Sequence, residues 1–268
     1  MKSFVERTLR GLLTTAEYAA TAEQMAISRG ALQRVDPRVK VAGILGLIVT
    51  AVASRRLAAI GGLFVLALIL AMVSRIPLGR LGVWVWTPVL LFTGAIGVPA
   101  IFLTPGRAVA AWGGIVLTEP GIRGAAFLIS RAETAATLSA LLVLTTPWPW
   151  VLKALRIFRC PLVMVAILGM TYRYIFVILQ TALDMFESRK SRTVGVLAAS
   201  ERRRLAASTA GVLLSKSLLL AGDVHLAMRS RGFQGEVYLL QDFRAVAADW
   251  CWLAGFAAVV LVALRMSF

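Results

Sequence analysis

Two short segments carry the residues best suited to recognising another molecule. One is Ser188-Arg189-Lys190-Ser191-Arg192-Thr193-Val194-Gly195, and the other is Ala227-Met228-Arg229-Ser230-Arg231-Gly232-Phe233-Gln234-Gly235. Each closes a long helical stretch with a small residue, an arginine and a small residue: Ser191-Arg192-Thr193 and Ser230-Arg231-Gly232. Glycine permits the left-handed turn that ends a helix, and cations suit its negative pole. That accounts for one such ending, but a matched pair asks for more. Small neighbours leave each guanidinium sterically clear, and a clear, planar, permanently charged fork suits a carboxylate or a row of carbonyls in a partner's groove. Two such tips suit a partner with two matched grooves, such as a dimer of related subunits.

The other chemically interesting residues are fewer. Arg131 and Glu133 stand in an apolar stretch, where ionisable groups point to function by default and a proton relay competes with a structural ion pair. The single histidine, His225, follows Asp223 on a helical stretch and is read as a packed, hydrogen-bonded side chain rather than a ligand. Gly211-Val212-Leu213-Leu214-Ser215-Lys216-Ser217 imitates a phosphate loop but lacks its second glycine. Cys160 and Cys251 lie in no ligand spacing, so each is read as an inert thiol. The run Glu201-Arg202-Arg203-Arg204 suits a helix start that touches anionic lipid headgroups, with an acidic partner surface as the alternative. No acid, base and nucleophile cluster emerges, so the reading is of a protein that is not an enzyme and carries no cofactor or metal of its own.

What positions these residues is mostly hydrocarbon. Of 268 residues 59% are apolar and only 16% charged, with a mean hydropathy of +0.81. A soluble core cannot hide that much apolar surface, whereas a bilayer accepts it. The fold class expected is therefore an all-α polytopic membrane protein. The net charge of +16 on a soluble chain would suggest nucleic acid. On a membrane chain it suggests cytoplasmic loops and anionic lipid instead, and no nucleic-acid partner is expected.

A span needs about 20 mostly apolar residues. Five candidates satisfy or approach that: Val41 to Ser54, short unless Lys40 and Arg55 snorkel or the helix begins at Pro37; Leu57 to Ser74; Leu81 to Gly106, kinked by Pro88 and Pro99; Ile122 to Thr146; and Trp250 to Leu264, extended back through Ala245. Pro147-Trp148-Pro149-Trp150 reads as an interfacial break. Beyond it, Pro161 to Phe186 and Leu205 to Met228 have the length to span but carry charges at intervals, and they are read as a cytoplasm-facing module partly sunk in the membrane interface, with a crossing by Pro161 to Phe186 as the alternative that would change the topology. The resulting division is 1–35, an amphipathic or cytoplasmic segment; 36–146, four spans; 147–244, coupling helices; and 245–268, a last span. The N-terminus lies inside and the C-terminus outside, and no strand pattern is long enough to predict a sheet.

At this point the chain resembles a known family. The paired arginine motifs, the lead-in Leu32-Gln33-Arg34-Val35-Asp36-Pro37-Arg38-Val39-Lys40, and Tyr172-Arg173-Tyr174 are similar to the transmembrane T component of energy-coupling-factor (ECF) transporters. The likeness is greatest to the CbiQ branch, which serves cobalt uptake, and it runs from about Leu32 to the C-terminus. Ser191 and Ser230 stand where that family usually has alanine, and Thr193 where serine or glycine is common. The resemblance implies a multi-pass protein of the bacterial or archaeal cell membrane, bound to an ABC-type ATPase dimer and to a membrane-embedded substrate-binding S component. It implies that Arg192 and Arg231 enter the two ATPase grooves, that ATP and metal bind other chains, and that cobalt, nickel or a vitamin is carried. The competing readings are an ordinary ABC permease subunit, whose Glu-Ala-Ala loop is not found here; a secondary carrier built on Arg131 and Glu133; and a membrane enzyme.

Overall fold

The computed structural model describes residues 11, 13–14, 26, 30–105, 108–112, 115–155, 160–192, 198–233 and 247–267. The expected N-terminal amphipathic helix lies almost wholly outside the described residues. The described chain runs through α1 (Pro37–Ala53), α2 (Leu57–Val73), α3 (Leu78–Leu103), an antiparallel hairpin of β1 (Ala108–Trp112) and β2 (Ile115–Thr118), and α4 (Glu119–Thr145). It continues through α5 (Trp148–Leu155), α6 (Leu162–Arg192), α7 (Ala199–Ser230) and α8 (Ala247–Ser267). The architecture is all-α apart from the hairpin, which the sequence reading did not anticipate. Two compact units emerge, one from Glu23–Ala154 with Phe243–Phe268 and the other around Leu155–Asp242.

In the first unit, α1 begins because Pro37 sits at the first helical position and Asp36 caps it, accepting the Arg38 N–H through Oδ1 at 2.8 Å. Its next turns must lie close to α8, for a side chain at Gly43 would collide with the Phe256 ring. The core of this unit is apolar: Leu32, Ile44, Leu47, Leu63, Leu138 and Leu141 are buried between α1, α2, α4 and α8. Uncharged throughout, α2 ends in a Schellman motif, with Arg75 N–H donating to the Met72 carbonyl and Ile76 N–H to the Ala71 carbonyl, each at 3.0 Å. Arg75 takes the left-handed conformation there, at φ 55°.

Helix α3 is continuous but contains a π-turn over Gly82–Trp86. Pro88 explains it, because its ring clashes with the carbonyl four residues back and supplies no N–H to it, so the backbone widens ahead of the proline. Pro99 is carried inside the helix without ending it. The widened turn directs Trp86 Nε1 to Thr137 Oγ1 at 3.1 Å on α4 and lays its ring 5.9 Å from Phe64 of α2.

Five helices are long and apolar enough to cross a bilayer among the described residues: Leu78–Leu103, Glu119–Thr145, Leu162–Arg189, Ala199–Ser230 and Ala247–Ser267. The number agrees with the sequence reading but the membership differs. Helices α1 and α2 have 17 residues each, about 26 Å at helical rise, short of the ~30 Å of hydrocarbon. The two helices read as cytoplasm-facing are longer than expected and meet the length and hydropathy of a span. Each extends past the boundaries assigned from sequence because its charged end continues the helical turn rather than breaking it.

Candidate functional site

Both arginine tips belong to the second unit. Arg192 is the last residue of α6, and Arg231 is the residue that closes α7. Beyond Ser230 the chain forms a Schellman motif: Gly232 N–H donates to the Arg229 carbonyl at 3.0 Å and Phe233 N–H to the Met228 carbonyl at 3.1 Å. Gly232 adopts φ +76°, the left-handed turn that its residue type led us to expect. Gly195 and Thr193 lie outside the described residues.

The serine preceding each arginine behaves alike in both tips. Ser191 Oγ donates to the Ser188 carbonyl at 2.8 Å, and Ser230 Oγ to the Ala227 carbonyl at 2.9 Å. Each hydroxyl is thus turned back onto its own helix, away from the guanidinium. Arg192 and Arg231 are exposed and make no ion pair among the described residues. These are clear, charged forks on the ends of long helices.

Their separation follows from α7. Arg192 shares a groove with Glu201, Arg204 and Leu205 at the start of α7, whereas Arg231 closes the far end of the same helix. That helix has 32 residues, about 48 Å at 1.5 Å per residue. One small ligand cannot engage both arginines. A large partner presenting two separate sites can.

Among the described residues of the first unit, the polar side chains singled out from the sequence meet helix ends or lie buried. Arg131 donates to the Ser54 carbonyl at 2.6 Å, where it satisfies the end of α1, and lies 5.2 Å from the Phe127 ring centroid. Glu133 is buried, and neither of its carboxyl oxygens has a hydrogen-bond partner among the described residues. The ion pair weighed from the sequence is therefore not made, since positions two apart on a helix face different directions. His225 stands exposed on α7 rather than packed. Among the described residues no group of three His, Cys, Asp or Glu side chains is placed to hold a metal.

The structure also brings out residues that sequence reasoning misjudged or passed over. Of the two readings of the first span, the structure takes the helix that begins at Pro37; Lys40 does not snorkel but is 1% exposed, and its Nζ donates to the Thr145 carbonyl at 2.9 Å at the end of α4. Fourteen residues separate Lys40 from Ser54, and fourteen separate Arg131 from Thr145. The two cross-links therefore fix α1 and α4 antiparallel and in register. Asp249, given no role from the sequence, accepts the Asp36 N–H at 2.9 Å. The one available signal was an acid in the first turn of an apolar helix, where it suits the positive pole.

A profile of the CbiQ cobalt transport protein family matches residues 29–239, most of the chain and both arginine tips. The chain belongs to the CbiQ family. It is 33% identical over 217 residues to an uncharacterized protein of Methanocaldococcus jannaschii, covering 78% of this chain and 73% of that one. It is also 34% identical over 159 residues to the cobalt transport protein CbiQ of Rhodobacter capsulatus, covering 56% of this chain and 64% of that one. The CbiQ profile stops short of α8, whereas the motif resemblance runs to the C-terminus. Together with the five long apolar helices, membership makes this a multi-pass membrane component of a cobalt transport family.

Proposed function

We propose that this CbiQ-family chain is the non-catalytic coupling subunit of an ECF-type importer. In this reading an ABC-type ATPase dimer docks on Arg192 and Arg231, with Ser191, Thr193, Ser230 and Gly232 keeping the two forks clear. Closure of the dimer pushes on α6 and α7, and the movement passes to a membrane-embedded substrate-binding S component. ATP is hydrolysed in the partner, and the cargo, cobalt by family likeness with nickel or a vitamin as the alternatives, is bound by the S component. Residues 147–244 act as the coupling segment, with 36–146 and 245–268 as its membrane frame and 1–35 as a separate N-terminal segment. The basic start of α7 rests against anionic lipid.

The observation that carries this reading is a pair of exposed arginines, Arg192 beside the start of α7 and Arg231 at its end. A helix about 48 Å long separates them, a span suited to two subunits and too great for one small site.

Co-purification tests it. The tagged full chain, wild type and Arg192→Glu/Arg231→Glu, would be drawn from mildly solubilised membranes of the native host. Recovery of an ABC ATPase with the wild type and its loss with a folded double variant is the expected result. If no ATPase accompanies the wild type, the coupling role is wrong and a carrier centred on Arg131 and Glu133 becomes the reading to test.

A further inference from the structure

The segment Leu155–Asp242 joins the first unit at two places, after Ala154 and before Phe243. Inside the first unit those joins continue into α4, through the short α5, and into α8. Both helices are tied to one turn of α1. Lys40 Nζ donates to the Thr145 carbonyl at 2.9 Å, at the end of α4. The Asp36 N–H donates to Asp249 Oδ1 at 2.9 Å, in the first turn of α8. Asp36 and Lys40 stand four residues apart, about one helical turn, so the two ties leave the same end of α1.

The ties have the character of fixed joints. Asp36, Lys40, Thr145 and Asp249 are all buried, so bulk water does not compete for either bond. The last carbonyls of a helix have no partner within it; Lys40 supplies one at the end of α4, and its charge suits the negative pole there. Asp249 suits the positive pole of α8 and reaches a backbone N–H, which cannot swing away. Asp36 also caps α1, accepting the Arg38 N–H at 2.8 Å, so the turn that receives both ties is itself held. Between Thr145 and the first join, α5 keeps Leu152 and Ala154 buried. Elsewhere α1, α4 and α8 meet through apolar side chains such as Leu47, Leu138 and Phe256, and such contacts are non-directional. The two hydrogen bonds are what fix the position of α4 and α8 along α1.

We infer that the Asp36–Lys40 turn is a clamp on both roots of Leu155–Asp242, so that movement of that segment reaches α1, α4 and α8 together instead of being lost as fraying at helix ends. The inference rests on the coupling role proposed above and adds the residues through which movement enters the membrane frame. Asp36, Lys40 and Asp249 are positioning residues, acting through the helices they hold.

The test is hydrogen exchange of the full chain with its co-purified ATPase, with and without ATP and orthovanadate to hold the ATPase closed. In the wild type, closure should change exchange in α6 and α7 and also in α1, α4 and α8. Lys40→Met and Asp249→Ala should leave the response of α6 and α7 in place and reduce that of α1, α4 and α8 about tenfold, as for a broken link between coupled sites. Asp249→Asn, which keeps an acceptor for the Asp36 N–H, should retain the response. Leu138→Ala removes packing from the core of the same unit; it should lower Tm yet keep the response, which separates the clamp from stability alone. If Asp249→Ala does not fold, Lys40→Met decides. An undiminished response in the folded clamp variants would overturn the inference, as would an equal loss in Leu138→Ala or a wild-type frame that does not respond. In all three cases the co-purified ATPase leaves the coupling role standing. A wild type without any ATPase would remove the coupling role and the clamp with it.

Discussion

Asp249 accepts the backbone N–H of Asp36 at 2.9 Å across 213 residues of sequence. Asp36 in turn accepts the Arg38 N–H and caps α1. The contact locks the first turn of the C-terminal helix to the first turn of α1, and both acids are buried. Replacing Asp249 with Ala leaves a buried N–H without its acceptor, a loss of about 1–3 kcal/mol. Thermal unfolding in nanodiscs should register it as a lowered Tm, and an unchanged Tm would show that water serves the N–H equally well.

Lys40 forms a second lock. Its ammonium is the donor that satisfies the end of α4 at Thr145, and charged donors are worth about 1.5–3 kcal/mol in such bonds. Lys40→Met keeps the volume and loses the bond, so it should destabilise by that order. Lys40→Arg should not restore it, because a planar fork does not fit a space shaped for a point charge. Tm values for the two variants decide the matter, and rescue by arginine would count against the tight site described above.

Glu133 is expected to behave in the opposite way. Its buried carboxyl has no hydrogen-bond partner among the described residues, and an unsatisfied polar group costs about 1–3 kcal/mol. Glu133→Met should therefore raise stability by an amount of that order. If the variant unfolds more easily, the acid has a partner in the membrane-embedded protein. If it is stable but transport is lost, Glu133 serves function at the expense of stability.

The two Schellman turns make a matched comparison. Gly232 and Arg75 are both left-handed, but only one is glycine. Arg75→Gly should stabilise by up to about 1 kcal/mol, and Gly232→Ala should cost about 1–2 kcal/mol locally. The second change leaves the Arg231 side chain in place chemically and disturbs its direction. Reduced ATPase recovery with Gly232→Ala, at unchanged expression, is the expected signature of a tip whose aim matters.

Single charge reversals rank the arginines. Arg192→Glu and Arg231→Glu should each reduce ATPase recovery at least ~tenfold if the guanidinium is buried in a partner's groove. Arg203→Glu, on the basic start of α7, should change it little. Equal effects at all three positions would indicate a diffuse charge attraction rather than two docking tips.

The membrane class was legible from composition because hydrocarbon on this scale has only one solvent that accepts it. The end of α7 was legible because a helix end is a local event: Ser230-Arg231-Gly232 dictates its own left-handed turn, and the structure forms it at Gly232. The hairpin of Ala108–Trp112 and Ile115–Thr118 was not legible, since strands so short leave little alternating pattern to read. Nor could sequence alone tell that Lys40 is buried rather than snorkelling, or that Arg131 meets Ser54 instead of Glu133. Those outcomes depend on which carbonyl lies opposite when α1 and α4 pack in antiparallel register, and no local pattern encodes that register. The pairing of Asp36 with Asp249 belongs to the same class, because only the closing of α8 onto α1 brings the two together. Local chemistry settled where α1 begins, at Pro37, and how α7 ends, at Gly232, while tertiary packing alone decided which buried charges find partners.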